Sequence, residues 1–338
     1  MKEALLYEKL ENKSAHCFLC AHQCRIAENK FGFCGVRQNI GGVLYSLVYG
    51  RPIATHVDPI EKKPLYHFLP GSSSFSLATV GCNFHCGFCQ NWEISQTSPA
   101  QGAAVEKIEE ISAEKIIFSA LKNKCQSIAY TYTEPTVFFE YALDIAKLAK
   151  TKGLANVFVT NGYMTKEALL MIKPYLGAAN VDLKFFSDTS YKKTCAGTLA
   201  PVLETIKLMH ELGIWVEVTT LVVPGQNDSP EELKGIAGFL AGVDKSIPWH
   251  ISRFHPDYNF MDHPSTSIET LDRAWEIGKA AGLKFIYLGN ISGEGNDTFC
   301  PACGKPLIKR EVFEVLQCNI QNSKCVFCQN KVAGIFGK

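Results

Sequence analysis

Gly81-Cys82-Asn83-Phe84-His85-Cys86-Gly87-Phe88-Cys89-Gln90-Asn91-Trp92 is the stretch that decides how the rest of the chain is read. It follows an apolar run, Phe75–Val80, that reads as a strand. Three thiols at C-x3-C-x2-C spacing in one short loop can converge on one object only. A fully ligated iron–sulfur cluster takes four cysteines, and a structural zinc also takes four ligands. A set of three leaves one metal position open, the mark of a catalytic rather than a structural site. The competing reading is a zinc knuckle that borrows His85 as its fourth ligand.

Working outward, the segment from Phe75 to about Asn290 alternates strand and helix. Strand-like runs are Phe75–Val80, Ser127–Tyr132, Ala155–Thr160, Ala179–Phe186, Trp215–Val223, Ile247–Phe254 and Lys284–Leu288. Helical stretches lie between them, the clearest being Thr136–Thr151, with Phe138, Phe139, Ala142, Ile145, Ala146 and Ala149 on one stripe. Such alternation implies right-handed βαβ units and a parallel sheet. The fold class is therefore α/β, a partial or full parallel (β/α) barrel, and functional residues belong at the C-terminal ends of its strands. No G-x-G-x-x-G follows the first strand, which disfavours a dinucleotide site.

Two cysteine-rich flanks complete a three-part chain: a lead-in over 1–74, the barrel over 75–293 and a terminal module over 294–338. Twelve of the 14 cysteines fall in three groups. The lead-in carries Cys17, Cys20, Cys24 and Cys34, four ligands that suit either an auxiliary 4Fe–4S cluster or a structural zinc. Cys300, Cys303, Cys325 and Cys328 form two C-x2-C knuckles, a metal-ribbon pattern for which zinc is favoured, although iron uses the same geometry. Cys318, the fifth cysteine of the terminal group, is surplus to a four-ligand site or a substitute ligand, and Cys125 and Cys195 read as small buried apolar residues. In the lead-in, Val43–Val57 suggests a hairpin or short strands with a turn at Asn39–Gly42. Glu61-Lys62-Lys63 reads as a solvated turn or as a lid over the active site.

Composition narrows the class. Hydrophobic residues make up 46% and charged residues 20%, a globular balance. A net charge of +1 gives no bulk attraction for nucleic acid or membrane. The stretch Met1–Lys9 lacks a signal peptide's apolar core, and C-x2-C repeats then read as metal sites rather than disulfides, so a reducing cytoplasm is expected.

The loop Cys82, Cys86 and Cys89, with the aromatic Phe88 before the last cysteine, resembles the signature of the radical S-adenosylmethionine (SAM) enzymes. The segments C-F-L-C-A-H-Q-C, D-P-I-E-K-K-P-L-Y-H-F and Y-T-Y-T-E-P-T and the terminal knuckles are most similar to the AmmeMemoRadiSam system radical SAM enzymes, near the pyruvate formate-lyase activating enzymes. The resemblance implies a radical SAM barrel whose 4Fe–4S cluster, with SAM on its fourth iron, takes one electron from a ferredoxin- or flavodoxin-type reductant. SAM is then cleaved to methionine and a 5′-deoxyadenosyl radical, which takes hydrogen from an unidentified substrate, to be sought among partner proteins of the same system. It also implies site residues: Glu134 for the SAM ammonium group, Asn161 by the ribose, and Asp182 and Lys184, which share a strand face, for SAM and substrate. The relatives' arginine for the SAM carboxylate has no counterpart in Trp215–Val223, where Thr219 or Thr220 offers a hydroxyl instead. His250 reads either as a core residue or, with Arg253 and His255, as part of the binding site. No catalytic side chain is expected beyond the cluster and the SAM site. Two other readings are an activase that places a radical on a glycyl-radical enzyme and a non-catalytic metal-ribbon module.

Overall fold

The strand that leads into the cysteine loop lies near one edge of the sheet that organises the molecule. The computed structural model describes residues 1–291 and 295–337. The sheet consists of β1 (Ala54–Pro59), β2 (Ser73–Ala78), β3 (Ser127–Tyr130), β4 (Ala155–Thr160), β5 (Ala178–Asp182), β6 (Trp215–Val222), β7 (Trp249–Arg253) and β8 (Ile286–Gly289), side by side in chain order. Strands β2 to β8 are parallel, and β1 runs antiparallel to β2. The edge strands β1 and β8 do not pair with each other, so the barrel is partial.

Six helices of seven or more residues connect the parallel strands: α1 (Ala113–Lys122), α2 (Phe139–Thr151), α3 (Lys166–Ile172), α4 (Leu199–Glu211), α5 (Pro230–Val243) and α6 (Ile268–Ala280). Four of them start on side-chain caps. Ser112, Thr165, Ser229 and Ser267 each accept the backbone N–H three residues on, satisfying a donor that the helix itself leaves free. The stripe from Phe138 to Ala149 is buried as its periodicity requires. Its first turn, Pro135–Phe138, is 3-10 rather than α, because Pro135 and the Glu134 cap hold a tight entry.

The lead-in forms small antiparallel sheets, among them a hairpin of Arg37–Ile40 with Val43–Ser46. Gly41 and Gly42 turn it with positive φ, which suits glycine. The expected strand content near Val57 is β1, an edge of the main sheet rather than part of that hairpin. Beyond the barrel, Thr298–Phe299, Pro306–Glu311 and Glu314–Cys318 make a three-stranded sheet. Its core residues Leu307, Ile308 and Val332 pack with Tyr66, Phe285 and Tyr287. The boundary expected at 293/294 falls outside the described residues. No helix among the described residues is long and apolar enough to cross a membrane.

The segment after β1 corrects both readings of Glu61-Lys62-Lys63. Glu61 and Lys63 are 1% and 2% exposed, so this is no solvated turn. It is no lid either, because the segment closes the N-terminal ends of the strands. Pro64 accepts from Asn180 of β5, and the backbone N–H groups of Tyr66 and His67 donate to Glu217 near the start of β6.

Candidate active site

The cysteine loop leaves β2 through Gly81, whose φ is +91°. A Cβ there would lie 2.5 Å from Val36 Cγ1 and 3.1 Å from the Cys34 carbonyl oxygen. Glycine is thus required both by backbone conformation and by the lead-in packed over it. Gly87 is similar: a Cβ would strike the Phe260 ring at 2.6 Å.

Four elements hold the loop. After β5, the π-helical turn Tyr191–Cys195 accepts from His85 N–H at 2.9 Å through Cys195 O and from Gly87 N–H at 3.1 Å through Thr194 O. After β7, Asn259 N–H donates to Gly87 O at 3.0 Å. From the lead-in, His22 Nε2 meets Asn83 O at 2.7 Å. After β4, Asn161 Nδ2 donates to Asn83 Oδ1 at 2.8 Å and lies 3.8 Å from Cys82 Sγ. Asn161 therefore reaches the cysteine loop itself.

Asp182 and Lys184 also come to this end, paired at 2.8 Å and only partly buried. Burial works against the Lys184 charge, but Asp182 and the sulfurs of Cys86 and Cys195 outweigh it and push its pKa well up. Contact from the Cys195 thiol holds Cys86 down against burial, with Lys184 assisting. Burial instead pushes Cys82 well up and raises Cys89. Cys195 is thus not a remote filler residue. Nothing in its local sequence announces this, because the π turn that delivers it is fixed by tertiary packing.

Phe88 is 3% exposed and packs among Phe185, Phe260 and Lys184. It anchors the loop to the core. Thr220 is occupied, donating to Leu183 O and accepting from Trp249 Nε1. Thr219, the register partner of Asp182, has a buried hydroxyl without a partner.

Two of the expected site residues are buried in networks of their own, and for one of them, His250, the expected place is corrected. Glu134 is 1% exposed, and Oε1 accepts from Thr136 N, Thr136 Oγ1 and Thr160 Oγ1 while Oε2 accepts from Asn161 N. Burial raises its pKa although these donors pull it down. Glu134 thus ties β3 to β4 through Oε1, which takes three donors, while Oε2 takes one. His250 is the second. Its Nε2 lies 2.7 Å from Glu217 Oε2, and its ring packs on Tyr66 and Tyr287. That places it with the closed end of the sheet.

The terminal knuckles converge. Among the described residues, Cys300, Cys303, Cys325 and Cys328 alone form a group of three or more such ligands with all ligand atoms within 4.8 Å of one another. Cys318 is exposed and outside this group.

An α/β sheet with three cysteines in the loop after its first parallel strand defines a cluster-binding enzyme class. The radical SAM superfamily model matches residues 76–238. An uncharacterized protein of Methanocaldococcus jannaschii is 45% identical over 98% of this chain and 99% of its own length. The pyruvate formate-lyase-activating enzyme of Clostridium pasteurianum is 21% identical over 57% of this chain and 82% of its own. The crystal structure of Streptococcus suis SuiB bound to S-adenosylmethionine superposes with a TM-score of 0.50 and 13% identity, covering 68% of this chain and 53% of that one. The chain belongs to the radical SAM superfamily and is an enzyme.

Membership implies a 4Fe–4S cluster and SAM, and the residues fit both. Three thiols share one clamped loop. At the same end stand two buried polar groups without protein partners, Asn83 Nδ2 and Thr219 Oγ1, which a bound ligand can satisfy.

Proposed function

We propose that this enzyme takes a hydrogen atom from a substrate as a member of the AmmeMemoRadiSam system type, with a partner protein of that system as the substrate class to test first. The observation that carries the reading is the three-cysteine loop, clamped by four elements beside partly exposed Asp182 and Lys184. Cys82, Cys86 and Cys89 would hold the cluster, and its fourth position belongs to SAM. The chemistry supplied by the bound pair is one-electron cleavage of the sulfonium, driven by a ferredoxin- or flavodoxin-type reductant, with hydrogen removed from the substrate.

The chain's own part is positioning and exclusion of water. Asn161 fixes Asn83 and the Cys82 side of the loop. Lys184, held by Asp182, presents a cation beside Cys86. The Thr219 hydroxyl is the donor left for a carboxylate that no arginine serves. Phe88, Phe185 and Phe260 make a dry floor under the loop. The likeness to the Clostridium pasteurianum activating enzyme favours a second reading, a radical placed on the backbone of a partner enzyme.

The terminal knuckles hold zinc in this account. Cys300 and Cys328 sulfurs are 3.7 Å apart and those of Cys303 and Cys325 are 3.9 Å apart. A tetrahedron with metal–sulfur bonds of about 2.3 Å has edges of about 3.8 Å. The three-part division of the chain follows: lead-in, catalytic barrel and zinc module.

Anaerobic reconstitution followed by incubation with candidate partners carrying deuterium tests the substrate reading. Label in 5′-deoxyadenosine identifies the donor, whereas a glycyl-radical signal on a partner supports the activase.

A further inference from the structure

The lead-in cysteines differ from the terminal knuckles in how far apart their sulfurs stand. Cys17, Cys20, Cys24 and Cys34 line one apolar gap, closed by Arg37 and Val137 among others. Yet no three of these sulfurs lie within 4.8 Å of one another, unlike the terminal set. A single metal ion needs sulfur–sulfur edges of about 3.8 Å. A cubane bound through its four corner irons spreads its thiolates over about 6 Å.

The surroundings also suit a cluster. Phe33 N–H points at Cys24 Sγ at 3.5 Å. Amides aimed at sulfur tune iron–sulfur sites. Arg37 is 2% exposed, its Nη1 lies 3.8 Å from Cys17 Sγ, and its Nε has no partner. Its charge is paired with buried Glu140, and the Nε–H is the donor it has left to offer an acceptor in the gap.

This gap adjoins the loop of the SAM-binding cluster. The Cys34 carbonyl oxygen lies 3.1 Å from where a Cβ on Gly81, the residue before Cys82, would stand. His22, two residues from Cys20, bonds Asn83 and stacks on Phe33, whose ring lies 4.6 Å from that of His85. Phe33 is 40% exposed, so the route reaches solvent.

We propose that Cys17, Cys20, Cys24 and Cys34 hold a second 4Fe–4S cluster, and that this cluster passes electrons from a protein reductant to the cluster on Cys82, Cys86 and Cys89. The second half rests on the function proposed above. The balance is one electron: a ferredoxin- or flavodoxin-type donor is oxidised by one, the lead-in cluster goes from 2+ to 1+ and back, and the SAM-binding cluster goes from 2+ to 1+. No bond changes in the relay.

The test is iron, sulfide and zinc analysis of the anaerobically reconstituted full chain, beside a Cys24→Ser/Cys34→Ser variant. The wild type is expected to carry about eight irons and the variant about four, with zinc near one in both. The ratio of 5′-deoxyadenosine formed with reduced flavodoxin to that formed with dithionite falls about tenfold in the variant. About four irons with two zincs in the wild type would overturn the cluster, and this result needs no variant to fold. Iron falling by four with an unchanged reductant ratio would overturn the relay. Eight irons falling to four, without 5′-deoxyadenosine from any reductant, would support the site while overturning the proposed function.

Discussion

The two ends of the sheet are built from similar residue types and do opposite things. At the N-terminal ends of the strands, Glu217 accepts from Tyr66 N, His67 N, Trp215 Nε1 and His250 Nε2. Arg310 from the terminal module donates to Tyr66 O, Asn296 O and Thr298 Oγ1. The ionic partners there, Glu61, Glu217 and Arg310 among them, are sealed from water. At the C-terminal ends, Asp182 and Lys184 remain partly exposed, and Asn83 Nδ2 and Thr219 Oγ1 have no protein partner. Unpartnered polar atoms occur at both ends, since Glu61 Oε2 and Arg310 Nε also lack hydrogen bonds; what separates the two ends is water, which reaches Asp182 and Lys184 and is kept from Glu217 and Arg310.

The largest effect expected from breaking the sealed end is that of Glu217→Ala. It leaves four buried donors facing nothing, and should cost about 3–5 kcal/mol of stability in urea denaturation. His250→Gln belongs to the same network and should lower Tm while leaving the KM for SAM unchanged. A raised KM with an unchanged Tm would return His250 to the ligand site.

At the open end, Lys184→Met should reduce kcat/KM for SAM cleavage about 100-fold, equal to about 2.7 kcal/mol, while Tm changes little. A fall in Tm without a change in cleavage would make the pair structural.

His67 gives the sealed end a pH dependence. Burial, aided by Arg310 and His250, lowers its pKa to about 4, against the pull of Glu217 and Ala333 O. Below about 6.5 the unfolded chain binds a proton that the folded chain refuses until about 4. The contribution is complete above pH 6.5 and is lost as pH falls, about 2 kcal/mol between pH 7 and 5. His67→Gln should flatten this slope in urea midpoints measured at both pH values.

The smallest effect is expected at Thr219→Val, about a fivefold rise in the KM for SAM, or about 1 kcal/mol.

Much of this was legible in the sequence because it is local. Period-two and period-3.6 patterns gave seven parallel strands and their helices, and the C-x3-C-x2-C spacing marked the loop. What sequence could not show was direction. Glu134 and His250 carry the right chemistry near strands, but only the sheet's register reveals that one bonds Thr136, Thr160 and Asn161 and the other Glu217. Cys195 failed to register for the same reason: it reaches Cys86 through a π turn about a hundred residues downstream of it.

The central claim is that Cys82, Cys86 and Cys89 make the open end a site of reductive SAM cleavage. The most direct test is 5′-deoxyadenosine formation by the anaerobically reconstituted protein with dithionite and SAM, compared with Cys86→Ala. The account predicts formation by the wild type and a loss of at least about 1,000-fold in the variant. Equal formation by both would contradict it.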